Sequence, residues 1–151
     1  MSAACPPLTF STALGPGDAR AAAELVAPAY WNDEVDVDCI ARAHEGSTAW
    51  VGAYDAGGTL VATARAISDG AKHAWIYDVM VAPGLRGRGV GDEVVRRLLE
   101  HPKVGGARYV HLGTRDAQPF YRRMGFVDRA EIPRPYVSTT MTLVRGELSR
   151  P

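Results

Sequence analysis

Cysteine is scarce in this chain. Cys5 and Cys39 lie far apart and have no histidine or cysteine neighbours at metal-ligand spacing. That argues against a disulfide scaffold or a cysteine-built metal site and favours reduced thiols. Net charge is missing too: 17 basic side chains balance 17 acidic ones, which speaks against general affinity for nucleic acid or an anionic membrane. No apolar run approaches the ~18–20 residues that span a bilayer, and no basic segment leads into one at the start. Lysine is almost absent, with only Lys72 and Lys103 beside plentiful arginine; that bias carries no functional information. Repeats and low-complexity segments are lacking as well. What remains is 151 residues, 46% hydrophobic and 23% charged, enough to bury one core. The expectation is a cytoplasmic, single-domain protein over residues 1–151, with residues 1–7 as a loose terminus.

The most informative stretch runs from Trp75 to His101. Ile76, Val79, Met80, Val81 and Ala82 form a nearly continuous apolar run, the pattern of an interior strand. Pro83 and Gly84 end it. Val90, Val94 and Leu98, with Val95 and Leu99 beside them, then make one apolar stripe of a helix. Between strand and helix lies Arg86-Gly87-Arg88-Gly89-Val90-Gly91. A helix start offers unpaired N–H groups and partial positive charge, and glycines let a ligand approach the backbone. Arg86 and Arg88 add forked cations suited to phosphate oxygens. A pyrophosphate is the natural guest, although a basic, glycine-rich surface loop would read the same way. A Walker loop is excluded because no Gly-Lys-Ser/Thr occurs. The dinucleotide fingerprint fails because Asp92 or Val94 stands where its last glycine is needed.

Elsewhere the pattern predicts a strand at Leu8–Ala13, helices at Ala19–Ala27 and Val37–His44, and strands at Thr48–Tyr54 and Leu60–Ile67 around the Asp55–Gly58 turn. After the central helix come a strand at Tyr109–Gly113, a short helix at Gln118–Met124, and closing strands at Val127–Ala130 and Val137–Val144. This order describes an α/β arrangement with a mixed sheet.

Arg86-x-x-Gly89-x-Gly91, between an apolar strand and a helix, resembles the acetyl-CoA pyrophosphate loop of the GNAT superfamily of N-acetyltransferases. The run from Thr114 to Phe126, with Tyr121 ahead of Gly125-Phe126, resembles the family's later block. Asp78, His101-Pro102 and Thr114–Ala117 are similar to one bacterial subgroup of unassigned substrate. The resemblance implies a mixed, mostly antiparallel central sheet with helices on both faces, splayed between its fourth and fifth strands. Here those are Ala74–Ala82 and Tyr109–Gly113. It also implies acetyl-CoA as acyl donor, no metal, and a small-molecule or peptide amine as acceptor. A homodimer is compatible with it.

By the same resemblance, the backbone of Val79, Met80 and Val81 would pair with the pantetheine amides. Residues Arg86, Gly87, Arg88, Gly89, Val90 and Gly91 would hold the pyrophosphate. Tyr121 would protonate the departing thiolate; the competing role is a helix tyrosine packed beside Phe120 and Phe126. Asp116 would lie near the pantetheine or cap the Gln118 helix. Asp78 is the candidate base, because a carboxylate within an apolar strand is costly and burial raises its pKa; a structural ion pair is the competing role. His73 and His111 read as structural. The acceptor would meet the segment after the first helix, with Tyr30, Trp31, Asp33 and Glu34 as substrate-binding candidates, and Asp36 and Asp38 attracting a cationic amine. The simpler reading of that run is a solvated acidic loop with helix-capping aspartates. A non-catalytic acyl-CoA-binding or sensor module would share the loop without needing Tyr121 or Asp78.

Overall fold

A computed structural model describes residues 4–146. The elements are β1 (Thr9–Ser11), α1 (Asp18–Val26), α2 (Val37–Glu45), β2 (Ala49–Tyr54), β3 (Leu60–Ser68), β4 (His73–Val81), α3 (Val90–Glu100), β5 (Tyr109–His111) and α4 (Gln118–Arg122). Short 3₁₀ turns occupy Tyr30–Asn32, Pro83–Leu85 and Arg129–Glu131. The strands form one sheet in the order β1-β2-β3-β4-β5, antiparallel throughout except for the parallel β4–β5 pair. The mixed α/β sheet inferred from the sequence is therefore present.

The chain divides into two compact units, one ending at Leu112 and the other beginning at Gly113. In the first, Ala22, Trp50 and Leu60 form one buried cluster, and Ala23, Val26 and Ile40 form another with Met80 against it. Gly52 is needed where it stands, since a Cβ there would lie 2.3 Å from the Trp50 ring. The apolar stripe of α3 is realised: Val90, Val94, Val95 and Leu98 are all buried. In the β2–β3 hairpin, Asp55 Oδ1 accepts from the N–H groups of Gly57 and Thr59, both at 2.9 Å. The second unit holds α4 and the Arg129–Glu131 turn, tied by an Arg122–Glu131 ion pair at 3.1 Å.

The closing strands do not form. Val127–Ala130 leads into the 3₁₀ turn, and Val137–Val144 has no strand structure, with Val137 99% and Met141 89% exposed. Alternation makes a segment suited to a sheet, but a strand exists only where a ladder partner pairs with it. Among the described residues, no helix is long and apolar enough to cross a membrane.

Candidate active site

The site is built on the second half of β4. Thr63 faces Met80 and Arg65 faces Tyr77, so Asp78 and Val79 together stand opposite Ala64. That is a β-bulge, a device that bends a strand and re-aims its side chains. Asp78 adopts φ 51°, alone among the described non-glycine residues in having positive φ; aspartate tolerates this region better than most residues. On its other side β4 pairs with β5 only at His73, Ala74 and Trp75. From Ile76 to Val81 the strand runs past the last β5 position. The pairing of these two strands ends there, between the strands where the sequence reading expects the splay.

β4 then leads through Pro83–Leu85 into the arginine-glycine turn. Gly87 and Gly89 take φ 73° and 81°, and a Cβ on either would meet nothing within 4 Å. Residues Arg86 to Gly89 are exposed, and no side chain caps the start of α3. The helix therefore opens on bare amides beside open space, the arrangement that accepts an anion. Val90 turns its side chain into the core, so only its backbone faces the turn. Arg86 folds back, with Nε donating to the Val81 carbonyl at 3.0 Å. Arg88 Nη1 donates to the Ala4 carbonyl at 3.4 Å.

Asp78 is buried and surrounded by donors. Trp31 Nε1 at 2.7 Å and Asn32 Nδ2 at 3.1 Å both reach its Oδ1, while Arg65 Nε reaches Oδ2 at 2.7 Å. Burial by itself would raise the carboxyl pKa. The hydrogen bonds from Arg65 and Trp31, the Arg65 charge and the Asn32 bond outweigh it and hold the pKa below the ordinary carboxylate value. The expectation of a raised pKa is thus corrected: three donors compensate the desolvation. Around the first turn after α1, Tyr30 and Trp31 pack edge to face at 5.0 Å, both exposed. Asp33 and Glu34 are exposed. Asp36 caps α2 by accepting from the Cys39 N–H at 2.7 Å, and Asp38 pairs with Arg20 at 2.7 Å. Two of the four acids thus have local structural work.

In the second unit Tyr121 is half-buried, edge-on to Phe120 at 4.8 Å and to Phe126 at 5.7 Å. Asp116 does not cap α4. Its carboxylate takes the Arg115 guanidinium at 3.0 Å, and the Thr114 hydroxyl accepts from the Ala117 N–H instead.

The sequence model of the acetyltransferase (GNAT) family matches residues 18–126. The chain belongs to that family. A GNAT-family protein from Xanthomonas campestris pv. campestris has a similar structure, with a TM-score of 0.72 at 30% identity over 87% of this chain and 94% of its own. The GCN5-related N-acetyltransferase 1, chloroplastic, of Arabidopsis thaliana is 37% identical over 89 residues, 58% of this chain and 45% of its own length. Glucosamine 6-phosphate N-acetyltransferase 1 of Oryza sativa subsp. japonica is 42% identical over 55 residues, 36% of this chain and 33% of its own. The chain thus spans less than half the length of these curated relatives.

Within this GNAT chain, the first unit contains Tyr30, Trp31, Asp78, Val79–Val81 and the turn from Arg86 to Gly91, and joins Trp31 to Asp78. Tyr121 and Asp116 lie in the second. Sequence reasoning missed Arg65 and Asn32. The signal was there: Arg65 is the one charged residue of β3, and a charge in a largely buried strand needs a partner.

Proposed function

We propose that this GNAT protein is an acetyl-CoA-dependent N-acetyltransferase in which a primary amine attacks the thioester directly. The observation that carries the reading is the continuity of two features: the edge of β4 that runs past β5, and the uncapped, glycine-lined start of α3 directly after it. The backbone of Val79, Met80 and Val81 would pair with the amides of the pantetheine arm as a neighbouring strand does. One of those N–H groups would donate to the oxyanion that develops as the C–N bond forms and the C–S bond breaks, a contribution of ~2.7–4 kcal/mol for a well-placed donor. The amides of Gly87 to Gly91, with Arg86 and Arg88, would hold the pyrophosphate.

Tyr121 is proposed as the acid that protonates the departing thiolate, on the strength of its position ahead of Gly125-Phe126. Asp116 is assigned no direct contact, because its carboxylate is engaged by Arg115. Asp78 is assigned a positioning role: held ionised, it anchors the Trp31 turn to the bulge, and the amine's proton leaves to solvent through water. We take both units as one acyltransferase domain. The acceptor of the glucosamine 6-phosphate enzyme is not carried over, since that match covers barely a third of either chain.

Two measurements test the proposal. Calorimetry should show acetyl-CoA binding, and a panel of primary amines should release free CoA thiol. Binding without release from any amine would leave a non-catalytic acyl-CoA module; no binding would remove the anion reading of the turn.

A further inference from the structure

The outward face of β3 and β4 beside the bulge is aromatic. Trp75 and Tyr77 are each 40% exposed, and Ile67, the cross-strand partner of Trp75, is 50% exposed. They alternate with buried Ala74 and Ile76, so they share one face. The Trp75 and Tyr77 rings lie within 15° of parallel with centroids 6.4 Å apart, and the His111 ring packs 4.6 Å from Trp75. Arg65 ties this shelf to the site: its guanidinium lies 5.0 Å from the Tyr77 centroid while its Nε holds Asp78. Trp31 reaches the same carboxylate. Scattered exposed apolar residues are ordinary, but a contiguous group next to a site marks a binding surface.

We infer that this shelf receives the acceptor, and that the acceptor is a monoamine carrying a planar aromatic ring on a short link. The inference rests on the acetyl-transfer reading. Tyr77 precedes Val79 by two residues, about 7 Å along a strand. A ring stacked there places an amine two or three bonds away against the β4 edge. Charge beside the shelf gives a polyamine no anchor: the Asp78 carboxylate is already held by three donors. A polycation on the shelf would instead meet the fixed charge of Arg65.

With saturating acetyl-CoA, thiol release is compared for 2-phenylethylamine, n-hexylamine and spermidine. The expected kcat/KM for 2-phenylethylamine exceeds that for n-hexylamine by about threefold to tenfold, the worth of one good ring contact. Trp75→Ala and Tyr77→Ala should each erase roughly that factor, leave n-hexylamine within about twofold, and spare acetyl-CoA affinity. Trp75→Phe should restore most of the preference and controls for folding. Equal rates for the two monoamines, a preference for spermidine, or equal losses on both in the alanine variants would overturn the inference. If no amine releases thiol, acetyl transfer fails and calorimetry decides the shelf. Binding of 2-phenylethylamine that Trp75→Ala abolishes upholds it, and no binding to the parent chain ends it.

Discussion

Asp78 combines three demands in one residue: a positive φ, a bulge, and a carboxylate with hydrogen-bond donors on both oxygens. Asn would keep the backbone and an oxygen for Trp31 and Asn32, but would leave the Arg65 charge without its partner. Arg65 and Asp78 have side chains only 12% and 5% exposed, so Asp78→Asn should cost about 3 kcal/mol, the scale of breaking a buried pair, read by urea unfolding. The folded pKa lies below the ordinary 3.8. The stabilisation it reports is therefore complete above that value and is lost as pH falls through the folded pKa. It follows that Asp78 contributes no inflection to the pH profile of kcat/KM between pH 5 and 9. An inflection that Asp78→Asn removes would return it to the role of base. For Tyr121, thiols near pKa ~8.5 are tolerable leaving groups unaided. Tyr121→Phe should lower kcat by about 10²-fold, the low end of general-acid effects, with acetyl-CoA affinity unchanged. An unaltered kcat would make Tyr121 a packing residue between Phe120 and Phe126.

At the level of elements, the turn into α3 is the most exacting piece. Gly89 is its N-cap at φ 81°, and Gly87 takes φ 73°. A Cβ at Gly89 would meet nothing within 4 Å; the cost of valine there is conformational, roughly 1–2 kcal/mol for a left-handed non-glycine residue. The side chain would also stand in the open space before the helix amides. Gly89→Val should therefore weaken acetyl-CoA binding by at least about tenfold, since a charge-assisted bond is worth ~1.5–3 kcal/mol, while lowering thermal stability by only the few degrees that roughly 1–2 kcal/mol implies. Calorimetry and a melting curve measure the two separately. This turn and the α3 stripe were legible from residue spacing because both are local properties. The closing strands were misread because Val137–Val144 carries the right alternation without a ladder in this structure. β5 shrank to Tyr109–His111 for a related reason: strand length is fixed by where its neighbour remains within bonding distance.

For the molecule as a whole, the buried titratable groups set its response to acid. His44 is fully buried; its Nδ1 donates to the Ile40 carbonyl at 2.9 Å, and its Nε2 has no partner among the described residues. Burial pulls its pKa below the ordinary 6.5, partly opposed by the Ile40 bond. The unfolded chain takes up a proton near pH 6.5 that the fold refuses, so stability holds above that pH and declines as pH drops through it. Asp78 adds a second loss below 3.8. Denaturant unfolding across pH 4–8 should show the first decline, and His44→Leu should flatten it; a profile unchanged by that substitution would assign the decline elsewhere. The sequence by itself determined the α/β class, the arginine-glycine turn and the helix behind it, because each depends on neighbours a few residues apart. Only the tertiary structure decided that the Asp78 carboxyl titrates below, not above, its ordinary value. The three groups that settle its protonation, Trp31, Asn32 and Arg65, come from a turn and a strand distant in the chain, and burial and charge compete only once folding has brought them together.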